Sequence, residues 1–114
     1  MSPRPWQDRA RDILDAVAEI QGFIAGMSRD QFLADAKTPK AVAADLTIIG
    51  EAARHIPDVI AQAHPTIPWA LMRGMRNRIV HSYYQVDPVI VWDTCQNDLP
   101  GLIQPLQQLL GSSP

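Results

Sequence analysis

Ten consecutive residues, Met75 to Tyr84, carry two arginines, an asparagine, a histidine, a serine and two tyrosines. That set suits phosphate chemistry. A guanidinium stays charged and matches phosphate oxygens bidentately, so Arg76 fits the negative charge that builds on a phosphorane-like transition state. Imidazole, with an unperturbed pKa of about 6.5, takes a proton from a ribose 2′-hydroxyl or returns one to a leaving 5′-oxygen at neutral pH, which makes His81 the acid–base candidate. Asn77 adds an amide beside Arg76, and Arg73 and Arg78 add charge in support. No Asp or Glu occurs between Asp58 and Asp87, so these three arginines lack a local carboxylate and the segment should attract an anion.

Other chemistries find less support. The six glycines lie singly and form no phosphate loop. Ser82, next to His81, has neither a Gly-x-Ser-x-Gly elbow nor an obvious orienting acid. There is no His-Glu-x-x-His and no carboxylate cluster near the motif, so no metal ligand set and no cofactor is expected. His55 and His64 are read as structural or solvent-facing. Cys95 is the single cysteine, which excludes an internal disulfide and a cysteine-based zinc knuckle and fits a reducing compartment. With no apolar signal core and no long uncharged apolar window, a cytoplasmic chain that does not span a membrane is expected. A length of 114 residues with 46% hydrophobic content suits one cored domain, residues 1–114. The net charge of −2 argues against a protein that coats nucleic acid nonspecifically, so any RNA contact must be local.

The elements that must position the motif read as helices. Trp6, Ala10, Ile13, Val17, Ile20, Ile24 and Met27 recur at alternating four- and three-residue steps, the seam of a helix in a bundle. Ser28 and Gln31 form a capping box ahead of a short second helix. Thr38 is expected to cap a long third helix with Pro39 in its first turn. Val42, Leu46, Ile49, Ala53 and Ile56 form the stripe of that helix, and Pro57 ends or kinks it. Glu51 is the one acidic residue read into the apolar centre; it forms an ordinary ion pair, stays solvated, or orients a site arginine. A helical turn or short helix spans Pro57 to Ala63, and the prolines from His64 to Pro68 form a loop. A fresh helix starts near Trp69 and carries the motif toward its C-terminal end, closed by Asp87-Pro88. Asp87 caps a last helix on Val91, Cys95, Leu99, Leu102, Leu106 and Leu109. A break is expected near Leu99 to Gly101, with a second bend at Pro105. The architecture is all-α, an up-and-down bundle with four main helices plus short ones.

If the motif helix is unbroken, Arg76 and His81 stand about 140° apart in azimuth and about 7.5 Å apart along the axis. Asn77, His81 and Tyr84 then share one face, and Arg76 and Tyr83 another. One chain alone makes an awkward site, which two copies meeting on a two-fold axis would relieve.

Arg76, four residues, His81, one residue, Tyr83 resembles the Arg-x4-6-His-x-Tyr signature of HEPN-domain toxins in the HepT-like group. The segments Ile48 to Ala53, Ile90 to Thr94 and Asp98-Leu99-Pro100 resemble that group too. The resemblance implies a dimeric HEPN bundle with the motif in the intersubunit cleft and metal-independent cleavage of RNA at Arg76 and His81. It also implies a partner, an MntA-like minimal nucleotidyltransferase antitoxin that attaches AMP to Tyr83, with Tyr84 the neighbouring phenol. Two functions follow: an endoribonuclease toxin of a type VII-like toxin–antitoxin pair, or a noncatalytic HEPN module that binds a nucleotide or a nucleotidyltransferase. Arg76 and His81 favour the first.

Overall fold

The computed structural model describes residues 4–80 and 85–111. Among them the chain is all-α, in eight helices: α1 (Trp6–Ile24), α2 (Arg29–Ala34), α3 (Thr38–Arg54), α4 (Asp58–Ala63), α5 (Trp69–Arg73), α6 (Met75–Ile79), α7 (Pro88–Asn97) and α8 (Pro100–Gly111). α3 is the hub. It packs along α1 more extensively than any other helix pair and also touches α2, α5, α6 and α7, while α8 closes over α1.

The expected seam of α1 is the one buried: Ala10, Ile13, Val17 and Ile20 sit in the core, facing Val42, Leu46, Ile49 and Ala53 of α3. At the end of α1, Gly26 takes φ +77°, a left-handed conformation that only glycine adopts cheaply. The chain then enters the capping box: the Gln31 N–H donates to Ser28 Oγ at 3.1 Å and the Ser28 N–H to Gln31 Oε1 at 2.9 Å. Phe32 of α2 meets Trp92 of α7 with ring centroids 5.1 Å apart.

The start of α3 differs from expectation. The capping side chain is Asp35, whose Oδ1 accepts from the Lys37 N–H at 2.8 Å and whose Oδ2 accepts from the Thr38 hydroxyl at 2.8 Å. Thr38 is thus a donor inside the first turn; a carboxylate three residues upstream outcompetes its hydroxyl as acceptor. These bonds, the Lys37 N–H first, hold the Asp35 carboxyl below its ordinary range.

A second difference concerns acids. Glu51 is exposed, and the acid in the apolar centre of α3 is Asp45, which is 5% exposed and faces α1. Burial, with the Glu19 carboxyl alongside, pushes its pKa up to about 6.

The third difference is at the motif. The expected single helix from Trp69 is two five-residue helices joined at Gly74, and α6 stops at Ile79. Val80 leaves in an extended conformation, φ −104° and ψ 126°, and pairs with Val86 as an isolated antiparallel bridge. The Asp87 N–H donates to the Ile79 carbonyl at 2.8 Å. Two successive β-branched residues and this competing partner for the Ile79 carbonyl account for the early stop. Further on, Asp87 caps α7 by accepting from the Val89 and Ile90 N–H groups, and the expected break falls between Asn97 and Pro100. α8 runs through Pro105 as one helix. The three buried leucines Leu102, Leu106 and Leu109 hold its register across the missing hydrogen bond.

A cleft between the central helix and the motif helix

Gly50 determines how close the motif comes to α3. A Cβ there would stand 3.1 Å from the Met72 carbonyl oxygen and 3.9 Å from the Arg76 nitrogen, so the backbones of α5 and α6 lie directly against α3. The approach leaves a cavity of about 230 Å³ lined by Thr47, Gly50, Glu51, Arg54, Arg73, Arg76 and Asn77. Arg76 and Asn77 come from the exposed side of α6, whose opposite side buries Met75 and Ile79. Arg76 Nη1 reaches Asn77 Oδ1 at 3.5 Å.

The three arginines do not act alike. Arg73 lines the cavity, yet its donors are spent on the fold: Nε donates to the Ala53 carbonyl at 3.2 Å and Nη2 to the Ile56 carbonyl at 3.4 Å. The Ala53 carbonyl lies in the last turn of α3, where intrahelical donors run out, and the Ile56 carbonyl lies just beyond the helix end. Asp58 adds a loose pairing at 4.0 Å. Arg78 points elsewhere and pairs with Asp98 at 2.9 Å near the end of α7. No local carboxylate is involved; Arg73 and Arg78 instead find carboxylates distant along the chain. Asp58 and Asp98 lie 15 and 20 residues away along the chain, beyond what a local reading reaches.

Glu51 lies on the same cavity as Arg76, and its Oε1 stands 3.5 Å from His55 Nε2, a contact that is an ion pair only when the imidazole is protonated. His64 contributes its backbone carbonyl to the Trp69 indole N–H at 3.1 Å. His81, Tyr83 and Tyr84 lie outside the described residues. Because α6 ends two positions before His81, the 140° offset of an unbroken helix no longer applies. Among the described residues, no cluster of three His, Cys, Asp or Glu side chains is arranged to hold a metal. No described helix is long and apolar enough to cross a membrane.

Arg54 is the cleft residue that sequence reasoning passed over. It stands three positions after Glu51 and four after Gly50, on the same face of α3; that spacing was the available signal.

The pattern of the HepT-like ribonuclease family matches residues 13–109. The chain belongs to the HepT-like ribonuclease family. It is 39% identical over 99 residues to the "Probable ribonuclease HepT" of Thermococcus cleftensis, covering 87% of this chain and 90% of that protein. A Methanocaldococcus jannaschii protein provisionally named an RNase is 34% identical over 99 residues, covering 87% of this chain and 82% of its own. A second such protein, from Caldanaerobacter subterraneus, is 29% identical over 109 residues, covering 96% and 95%. No solved structure shows a significant match. The HepT-like match contains α3, α5 and α6, and so the whole cleft.

Proposed function

We propose that this chain is an endoribonuclease toxin of a type VII-like toxin–antitoxin pair, cleaving RNA phosphodiesters without a metal. The observation that carries the reading is the position of Arg76 and Asn77 on a cavity lined by three guanidiniums and one carboxylate, in a HepT-like ribonuclease chain. His81 removes the proton from a ribose 2′-hydroxyl. The 2′-oxygen attacks the adjacent phosphorus, Arg76 takes up the charge on the equatorial oxygens, and the P–O5′ bond breaks. The 5′-oxygen accepts a proton from an imidazolium, supplied by the second copy of His81 in a homodimer. The products are a 2′,3′-cyclic phosphate and a 5′-hydroxyl. The inhibitory partner is a minimal nucleotidyltransferase that places AMP on Tyr83, adding charge and bulk beside the phosphate site.

Incubating the purified chain with tRNA and mRNA in the presence of a chelator tests this. Cleavage with cyclic-phosphate ends is expected. Arg76→Ala and His81→Ala should each lower the rate by roughly 10²–10⁴-fold with helical content unchanged. His81→Lys should not restore it, since an amine with a pKa of about 10.4 is a poor base at neutral pH. Cleavage by a folded His81→Ala chain, or cleavage only on addition of a divalent metal, overturns the mechanism.

A further inference from the structure

Arg54 is built differently from its neighbour Arg73. Arg73 is half-buried, donates to the Ala53 carbonyl of α3 and the Ile56 carbonyl just beyond it, and stands 4.0 Å from Asp58. Arg54 is exposed at the same cavity, and its Nε and Nη2 both reach one acceptor, the Arg73 carbonyl, at 3.4 Å. Bonds of that length are weak. Two donors on one oxygen fix the plane of the guanidinium while leaving its Nη1 group uncommitted among the described residues. No carboxylate of the described residues pairs with Arg54; the nearest acid along α3, Glu51, stands three residues before it with Oε1 3.5 Å from His55 Nε2. Arg54 is also well placed. It lies one helical turn, about 6 Å, beyond Gly50, and Gly50 lies against the Arg76 backbone. The two exposed guanidiniums therefore flank one cavity from two helices whose separation Gly50 determines.

From this we infer that Arg54 is a second phosphate-binding residue, which holds the RNA phosphate adjacent to the one at Arg76. The cleft then takes two consecutive phosphates of a single strand, and its ligand is an oligoribonucleotide rather than a lone nucleotide. This rests on the ribonuclease reading above, which assigns only Arg76 to phosphate.

The test uses a fluorescent single-stranded decaribonucleotide, fully 2′-O-methylated so that it cannot be cut, with anisotropy read across a salt series. Arg54→Gln should weaken binding roughly tenfold at low salt. The slope of log affinity against log salt should become shallower by about 0.7, the share of one single-strand phosphate. Arg54→Lys keeps the charge and should keep the wild-type slope. An independent arm leaves the protein unaltered: replacing every linkage but one by neutral methylphosphonate should lower the wild-type slope by about 0.7, the share of the second phosphate. If Arg54→Gln lowers the melting temperature but leaves the slope unchanged, Arg54 only clamps the Arg73 carbonyl and the inference falls. The same holds if a single charged linkage binds as well as the full nine. Binding with Arg54-dependent slope but no cleavage of the unmodified strand keeps Arg54 and removes the ribonuclease reading. No binding at any salt concentration removes both.

Discussion

Asp45 shows how a single buried residue sets a pH dependence. Its folded pKa, pushed up to about 6 by burial and by Glu19, lies above the unfolded value near 4. The folded state therefore holds the proton more tightly than the unfolded chain. Its contribution to stability is full below about pH 4 and is lost as pH rises through about 6. One carboxylate oxygen, Oδ2, is buried with no hydrogen-bond partner, which fits a group that is protonated more easily than usual. Asp45→Asn should raise stability at pH 8 by about 1–3 kcal/mol and leave it little changed at pH 4, as read from urea midpoints at the two pH values. A uniform gain at both would show that charge is not the cause. Cys95 contrasts with it: burial pushes its thiol up to about 12, so it should resist alkylation in the folded chain. At the motif, co-expression with the cognate nucleotidyltransferase should leave an AMP mass on the peptide containing Tyr83, and Tyr83→Phe should remove it. Full neutralisation of Tyr83→Phe with no adduct on any tyrosine would show inhibition by binding alone.

Among the elements, α3 determines most of the site. Its inner face supplies the core stripe, and Gly50 on another face admits the motif helices at backbone contact. Gly50→Ala gains about 1 kcal/mol of helix propensity. Against that, a Cβ at 3.1 Å from a backbone carbonyl must push α5 away at a cost of about 1–3 kcal/mol. A net loss of about 1 kcal/mol is expected for alanine and more for valine. Catalysis should fall further than stability, because Arg76 moves with the displaced backbone. A Gly50→Val chain with wild-type cleavage would show that the close approach does not position the site. Pro105 and Pro100 show how context decides: one proline opens α8 where the chain had already turned, and the other sits inside α8 because the leucine stripe outweighs one lost bond.

At the scale of the whole molecule, a composite site calls for a second copy of the chain. Trp69, Met72, Met75 and Ile79 of the motif helices are buried within the chain's own core. A partner copy would therefore meet the opposite side, where Arg76 and Asn77 stand. Sedimentation at micromolar concentration should report two chains. Mixing Arg76→Ala with His81→Ala chains should restore part of the activity if each site draws on both copies. An active, strictly monomeric enzyme would remove the composite site and assign all the chemistry to one chain.

The sequence by itself determined the helical class, the seam of α1, the capping box at Ser28, the cap at Asp87 and the break before Pro100. All of these are encoded within a turn or two of chain, where 3.6-residue periodicity and capping chemistry act. The family resemblance was legible in the same way, from the spacing of Arg76, His81 and Tyr83. Only the tertiary structure decided which arginines are spoken for. Arg78 finds Asp98, Arg73 finds the end of α3, and Arg54 joins Arg76 on one cavity. It likewise decided that α6 stops at Ile79, since the carbonyl there is claimed by Asp87 from eight residues on. The physical reason is common to these cases. A charged side chain or an unpaired carbonyl takes its strongest partner within reach in space, and separation along the chain does not predict which partner that is.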